Sequence, residues 1–202
     1  MAKRVYFCFH YQDVVDFRAN VVRNHWLTKP DREAAGFFDA SLWEKARKQG
    51  DVAIKRLINS GIDGTSATCV LIGSHTYARR WVRYEIMKSF KKGNSIFAIH
   101  INSIPGKDRQ TKLPGPNPLP YLGVTYSDSG ITATLHEVVN GQWREYTEVD
   151  GAGRPIKLRP FRCSIEGRGT TSAGSIQYMT GWLPTATIIF PTGSVKGPTP
   201  AN

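Results

Sequence analysis

Over the first hundred residues, short apolar runs rich in β-branched and aromatic side chains alternate with stretches whose apolar residues recur at helical spacing. Few patterns restrict a fold as much, because a strand, a helix and a second strand return right-handed onto a parallel sheet. Val5 to Phe9 opens the series as a buried strand. Val14, Phe17, Val21, Val22 and His25 then predict an amphipathic helix over residues 14–26, with Asp13 as its N-cap. Pro30 and Gly36 bracket a loop, and residues 36–40 read as a short second strand. Ser41 and Glu44 have capping-box spacing at the head of a second helix. Its apolar positions Leu42, Ala46, Ile54, Leu57 and Ile58 run past a break or kink at Gly50. Thr68 to Ile72 is the clearest strand, closed by Gly73. A third helix over about residues 78–92 carries Val82, Ile86 and Phe90 as its core stripe, ends at Gly93-Asn94, and leads into a buried strand from Ile96 to Ile101.

This rhythm predicts an α/β core over residues 1–125: a flavodoxin-like, doubly wound parallel sheet. Such sheets bind ligands outside the carboxyl ends of their strands, at the switch point of strand order. Here Phe9, His10 and Tyr11 line one side of that crevice, and the segment from Gly73, Ser74 and His75 into the third helix lines the other. Beyond residue 102 the texture changes. Pro105, Pro114, Pro116, Pro118 and Pro120 mark a loop of polyproline character. Residues 131–139 and 143–149 alternate around Asn140-Gly141, a strong hairpin signal, which defines a C-terminal β-hairpin elaboration over residues 126–162. Residues 163–202 are dominated by Thr, Ser, Gly and Pro and are expected to be partly ordered at most. Ile188 to Phe190 is compatible with one more strand there, ahead of a last dozen residues expected to be mobile.

Composition narrows the function. With 202 residues, 40% of them hydrophobic, the chain can bury a core unaided, which excludes disorder as its main state. Its formal charge of +11 makes a polyanion the first suspect: nucleic acid, an anionic membrane surface or a phosphorylated small molecule. Residues 1–101 hold 17 of the 27 basic side chains and 9 of the 16 acidic ones, and Arg79, Arg80, Arg83, Lys88, Lys91 and Lys92 form the densest cluster. Such a helix either tracks phosphates or is a solvated face. Three scattered cysteines, Cys8, Cys69 and Cys163, suit a reducing cytoplasm and make neither a disulfide framework nor a metal site. No apolar stretch is long enough to span a membrane and no signal-peptide core follows Met1, so a cytoplasmic location is expected.

The string that carries chemistry runs from Ser74 to Ile86. Trp81 and Glu85 are four apart, so they share a helix face one turn from each other, away from the Val82, Ile86 and Phe90 stripe. A carboxylate beside an indole at the lip of the crevice is partly desolvated and held inward. The alternative is an ordinary helix pair in which Glu85 bridges to Lys88 or an arginine. Residues 6–13 (Tyr6, Phe7, Cys8, Phe9, His10, Tyr11, Gln12, Asp13) taken together with Ser74 and the Trp81-x-x-x-Glu85 helix resemble the TIR domain family. More specifically, they resemble its TIR-like subgroup in the bacterial Thoeris anti-phage system, the ThsB proteins. The texts of residues 16–26, 38–44, 56–59 and 115–118 fit as well. The resemblance covers residues 1–125 and weakens across the hairpin to about residue 150.

What the resemblance implies is an anti-phage defence enzyme that breaks the nicotinamide–ribose bond of NAD+ and releases a cyclic ADP-ribose isomer as a second messenger for an effector protein. Glu85 matches the family's catalytic glutamate. NAD+ is then the substrate, and no cofactor or metal is expected. Phe9, His10 and Tyr11 sit where the family's first loop touches substrate, although a core or hinge role for Phe9 is equally open. Asp39 is either a substrate contact or a turn and cap residue, and Ser74 either donates to substrate or caps its loop. Trp81 packs the glutamate in place, with Tyr84 beside it in the substrate-binding set. One of Arg79, Arg80 and Arg83 is available for the pyrophosphate. Cys8 stands where TIR sequences commonly carry Ser and reads as a small buried thiol. A phage-derived trigger and a homo-oligomer are compatible with the resemblance; a membrane partner is not expected, nor is nucleic acid. Two other classes stay in view: a non-catalytic TIR adaptor that assembles with other TIR domains, and a basic nucleic-acid-binding protein.

Overall fold

The computed structural model describes residues 3–38, 40–128, 132–149, 156–157 and 177–178. Its centre is a parallel sheet of four strands, β1 (Lys3–Cys8), β2 (Arg32–Ala35), β3 (Ala67–Ile72) and β4 (Ser95–His100), in the order β2-β1-β3-β4. Tyr6 pairs with Ala35 on one side and with Thr68 on the other. This is the doubly wound α/β arrangement that the alternation predicts, with its switch point beside β1. Side chains alternate across the sheet: Val5, Phe7, Cys69 and Leu71 pack on one face, and Tyr6, Cys8, Val70 and Ile72 on the other.

The helix expected over residues 14–26 is two helices, α1 (Tyr11–Val15) and α2 (Arg18–Leu27). Between them Phe17 turns left-handed at φ 66°. The cause lies in Arg18, which is buried. Its Nε donates to the Ile104 carbonyl at 3.0 Å, Nη1 to Asp16 at 2.9 Å and Nη2 to the Gln110 carbonyl. A continuous helix would not aim that guanidinium at the proline-rich loop. Asp13 lies inside α1 rather than capping it; His10 holds the N-cap position.

The second strand also lies earlier than expected, at Arg32–Ala35 rather than residues 36–40. Gly36 ends it at φ 90°, where a Cβ would stand 2.3 Å from the Phe7 carbonyl oxygen. Phe37 and Phe38 are therefore spent on packing at the end of the sheet, Phe37 against the Phe7 and Phe9 rings with centroids 5.6 and 4.6 Å away. Helix α3 (Ala40–Gln49) begins one residue before Ser41, which sits in its first turn instead of capping it. Gly50, at φ 91°, separates α3 from α4 (Asp51–Ile62), the break its position predicts. A 3-10 turn over Thr76–Ala78 leads into α5 (Arg80–Lys92), closed by Gly93 in the left-handed region.

After a loop and a 3-10 turn (Leu119–Tyr121), an antiparallel sheet follows: β5 (Leu122–Tyr126), β6 (Thr132–Val139) and β7 (Gln142–Glu145), with β8 (Ile156–Lys157) on β6 and β9 (Gln177–Tyr178) on β5. The hairpin turns at Asn140 and Gly141, with φ of 51° and 74°. Strand β5 escapes the sequence patterning; it straddles the expected boundary at residue 125 and hydrogen-bonds to β6, not to the parallel sheet. Leu122, Val124 and Leu135 join Ile58, Ile62, Ile86 and Met87 in one core, so this second sheet is packed on the α4 and α5 side. Cys163, the Ile188–Phe190 strand and most of residues 163–202 lie outside the described residues, as does Asp39.

Candidate active site

A cavity of about 680 Å³ opens at the carboxyl ends of β1 and β2. Three walls form it. Phe9, His10 and Tyr11 follow β1, Gly36, Phe37 and Phe38 follow β2, and Ala78 and Arg79 lead into α5, which adds Arg80, Trp81, Val82 and Glu85. Asn20 and Arg23 of α2, Trp43 and Arg47 of α3 and Ile54 of α4 complete it. The crevice thus leans further toward β2 than the sequence implies. The reason is the proline-rich loop, which covers the end of β3: Ser74 Oγ donates to the Leu113 carbonyl at 2.8 Å, away from the cavity lining.

Glu85 is the chemical centre. It is 7% exposed, although α5 is a surface helix whose other charged residues reach water. The Tyr6 hydroxyl donates to its Oε1 at 2.9 Å from the underside of β1. Cys8, also on that face of β1, directs its thiol to the Val82 carbonyl at 3.7 Å. Oε2 is buried with no hydrogen-bond partner among the described residues. Burial pushes the Glu85 carboxyl up to about 7, against the opposing pull of the Cys8 thiol and the Tyr6 hydroxyl. The alternative, an ion pair to Lys88 or an arginine, does not form among the described residues; the carboxylate faces a tyrosine, a thiol and the cavity. A pocket lined by apolar and aromatic groups with one perturbed carboxylate is the pattern of a catalytic or binding centre.

Tyr6 is held rigidly. It is fully buried, and its ring runs between Gly36 and Gly61, where an added Cβ would come within 3.2 and 3.0 Å of it. Burial raises the Tyr6 phenol well above its ordinary value, so it stays a donor. Tyr6 belongs to the first-strand motif, but the motif alone gives it no role; the signal was its even-numbered place on β1, which puts it on the face toward α5.

Of the other residues singled out in the sequence, Phe9, His10, Tyr11 and Trp81 line the cavity with Glu85. His10 is half-buried and pushed down to about 4, by burial first and then by Arg79, His75 and Lys112, so it is a neutral imidazole at neutral pH. Tyr84 lies behind the wall: its hydroxyl meets Asn59 Oδ1 at 3.2 Å and its ring meets Trp81 edge-on at 6.0 Å. Trp81 is fixed from outside by Arg80, whose guanidinium stacks 4.7 Å above it while pairing with Asp51 at 2.7 Å and Glu148 at 2.8 Å. Arg83 pairs with Glu137 at 2.9 Å. Two arginines of the basic cluster are therefore neutralised by neighbouring acids, which leaves Arg79 on the cavity rim. Asn20, Arg23, Phe37, Phe38, Trp43 and Arg47 escape the sequence patterning as lining residues, because they come from three separate segments that only the folded chain gathers.

Among the described residues no group of three or more His, Cys, Asp or Glu side chains is arranged to hold a metal ion. Nor is any helix among them long and apolar enough to cross a membrane. The profile of the Thoeris protein ThsB, TIR-like domain, matches residues 6–105, the segment that holds the end of β1, all of β2 to β4 and Glu85. A protein of Bacillus cereus (strain MSX-D12), named "Putative cyclic ADP-D-ribose synthase ThsB1", is 61% identical over 149 residues, 74% of this chain and 78% of that one.

Proposed function

The chain belongs to the ThsB TIR-like family of the Thoeris system, and from that premise we propose that it is an enzyme acting on NAD+: it cleaves the nicotinamide–ribose bond and closes the ADP-ribosyl fragment into a cyclic ADP-ribose isomer. The observation that carries this reading is Glu85, a desolvated carboxylate with one oxygen held by Tyr6 and the other unsatisfied among the described residues, on the wall of a cavity large enough for a dinucleotide's reacting half.

The chemistry balances without a general acid. As the bond breaks, its electron pair passes to the pyridinium nitrogen, and nicotinamide leaves neutral. An oxocarbenium-like cation remains at the ribose, and the Glu85 carboxylate stabilises it electrostatically or by holding the ribose hydroxyls in a place where water does not screen the charge. A hydroxyl or ring nitrogen of the same nucleotide then bonds to that carbon and sheds a proton; water attacking instead gives linear ADP-ribose. Cyclisation therefore depends on a folded-back substrate and a dry pocket, and the Phe9, Phe37, Phe38, Trp43 and Trp81 lining favours both. Neutral His10, with Tyr11 beside it on the cavity wall, serves to contact the nicotinamide or the adenine. The product serves as the diffusible signal to an effector protein in anti-phage defence.

The experiment is incubation of the full chain with NAD+, with and without lysate of phage-infected cells, followed by mass spectrometry. The expected result is free nicotinamide plus a product one water lighter than ADP-ribose. A protein that releases no nicotinamide under either condition is an adaptor, and the reading fails. The nucleic-acid alternative is disfavoured by the pairing of Arg80 and Arg83 and by Lys92, whose amine is turned onto the Ile62 carbonyl at 2.9 Å.

A further inference from the structure

Four arginines line the cavity: Arg23, Arg47, Arg79 and Arg80. Arg80 is paired with Asp51 and Glu148, and Arg47 with Glu44 at 3.3 Å. Arg79 is exposed on the rim beside His10. Arg23 differs from all three. It is half-buried, has no acidic partner among the described residues, and its Nε is shut from water without an acceptor among them. A guanidinium so placed lacks a hydrogen bond that folding would ordinarily supply. What it does meet is the Phe37 ring, 5.3 Å from the guanidinium carbon, and Phe37 in turn lies against Phe9. The helix beneath it is rigidly seated, since Arg18 ties the start of α2 to the loop carbonyls, and Asn20 sits one turn before Arg23 on the same cavity-facing side.

From this arrangement we infer that Arg23, with Asn20 beside it and the Phe9–Phe37 rings behind it, forms the subsite for the anionic pyrophosphate of the dinucleotide, at a place apart from the reacting carboxylate of Glu85. The inference rests on the NAD+ reading above and names the part of that substrate this wall takes. A planar fork that presents Nε and Nη donors together suits two phosphate oxygens. The acceptor missing at Nε is then supplied by the ligand. The basic cluster on α5 does not fill this role, because its two inward arginines are the rim residue and the one already neutralised.

The test measures binding, without turnover, by titration calorimetry on the full chain and its Arg23→Gln, Arg23→Lys and Arg79→Gln variants, with thermal melts as the fold control. ADP-ribose carries the pyrophosphate, and adenosine lacks it. Arg23→Gln is expected to weaken ADP-ribose roughly ten- to a hundredfold, the loss of charge-assisted hydrogen bonds to phosphate, and to leave adenosine unchanged. Arg23→Lys keeps the charge but not the fork and falls between. Arg79→Gln, on the solvated rim, loses about threefold or less. ADP-ribose affinity unchanged in Arg23→Gln overturns the subsite, as does an equal loss of adenosine, which marks a merely structural effect. A wild-type protein that binds neither ADP-ribose nor inorganic pyrophosphate overturns it too, and nicotinamide release by that same protein would leave the cleavage reading standing. Selective loss of ADP-ribose in a protein that releases no nicotinamide supports the subsite and sinks the cleavage reading.

Discussion

Removing the Tyr6 hydroxyl should move the pH at which Glu85 works, and the direction is fixed by the geometry. Tyr6→Phe keeps the buried ring between Gly36 and Gly61 and deletes only the donor 2.9 Å from Oε1. A hydrogen bond to a charged group is worth roughly 1.5–3 kcal/mol, or about one to two pKa units at 1.36 kcal/mol each. Burial already pushes Glu85 up to about 7, against the opposing pull of the nearby thiol and of the Tyr6 hydroxyl. The variant should therefore titrate at about 8–9. Cleavage that requires the carboxylate rises with pH through that midpoint in both proteins. At neutral pH the wild type is about half ionised and the variant about 1–10%, so activity should fall roughly five- to fiftyfold and return at high pH. The Tyr6 phenol itself stays protonated across this range. Initial rates of nicotinamide release across pH, with the Glu85 carboxyl followed independently by infrared difference spectra blanked against Glu85→Gln, read both quantities. An unchanged midpoint, or a loss that persists at high pH, would refute the role assigned to Tyr6.

Other outcomes follow from the same contacts. Because the folded-state value of Glu85 lies above its ordinary 4.5, stability is complete below that pH and is lost as pH rises toward 7, by about 3 kcal/mol in all. Denaturant melts of Glu85→Gln should lack that slope, and a mutant curve parallel to the wild type would contradict the buried carboxylate. Arg18→Met strands the Ile104 carbonyl and removes a bond each from Asp16, which keeps Gln12 and Lys112, and from the Gln110 carbonyl, which keeps the Gly106 amide; it should cost roughly 1–3 kcal/mol in urea melts; a cost within experimental error would mean that the loop is held by other contacts. Cys8→Ser keeps a small buried donor toward the Val82 carbonyl and should retain most of the turnover, whereas loss of activity with an intact fold would assign the thiol a chemical part.

The α/β order, the Gly50 break, the Gly93 stop and the Asn140-Gly141 turn were legible because each rests on local chemistry: apolar period, or a backbone angle that glycine or asparagine adopts cheaply. The failures are non-local. Phe17 resembles one more residue of a helical stripe until Arg18 is seen reaching for carbonyls about ninety residues away. Phe37 and Phe38 look like strand residues, yet Gly36, at φ 90° and close against the Phe7 carbonyl, turns the chain out of the strand before them. In the site, the Trp81 and Glu85 spacing and the first-loop residues were readable from one helix and one strand. Arg23 was not, since its meaning lies in lacking, among the described residues, the acidic partner that Arg80 and Arg83 possess. The excess positive charge illustrates the same point: two arginines of its densest run are tied to Asp51, Glu137 and Glu148, whereas an inconspicuous arginine of α2 faces the cavity.

The central claim is that one carboxylate in this cavity carries the cleavage of NAD+. Nicotinamide release by the wild type and by Glu85→Gln, prepared and triggered identically above pH 7, tests it most directly. Glutamine keeps the size of the side chain and its bond to Tyr6 while removing the charge, and the loss of a preorganised electrostatic group of this kind costs roughly a hundred- to a thousandfold in rate. The account requires strong release by the wild type and a loss of that order in the folded variant. Equal release by the two proteins would contradict it.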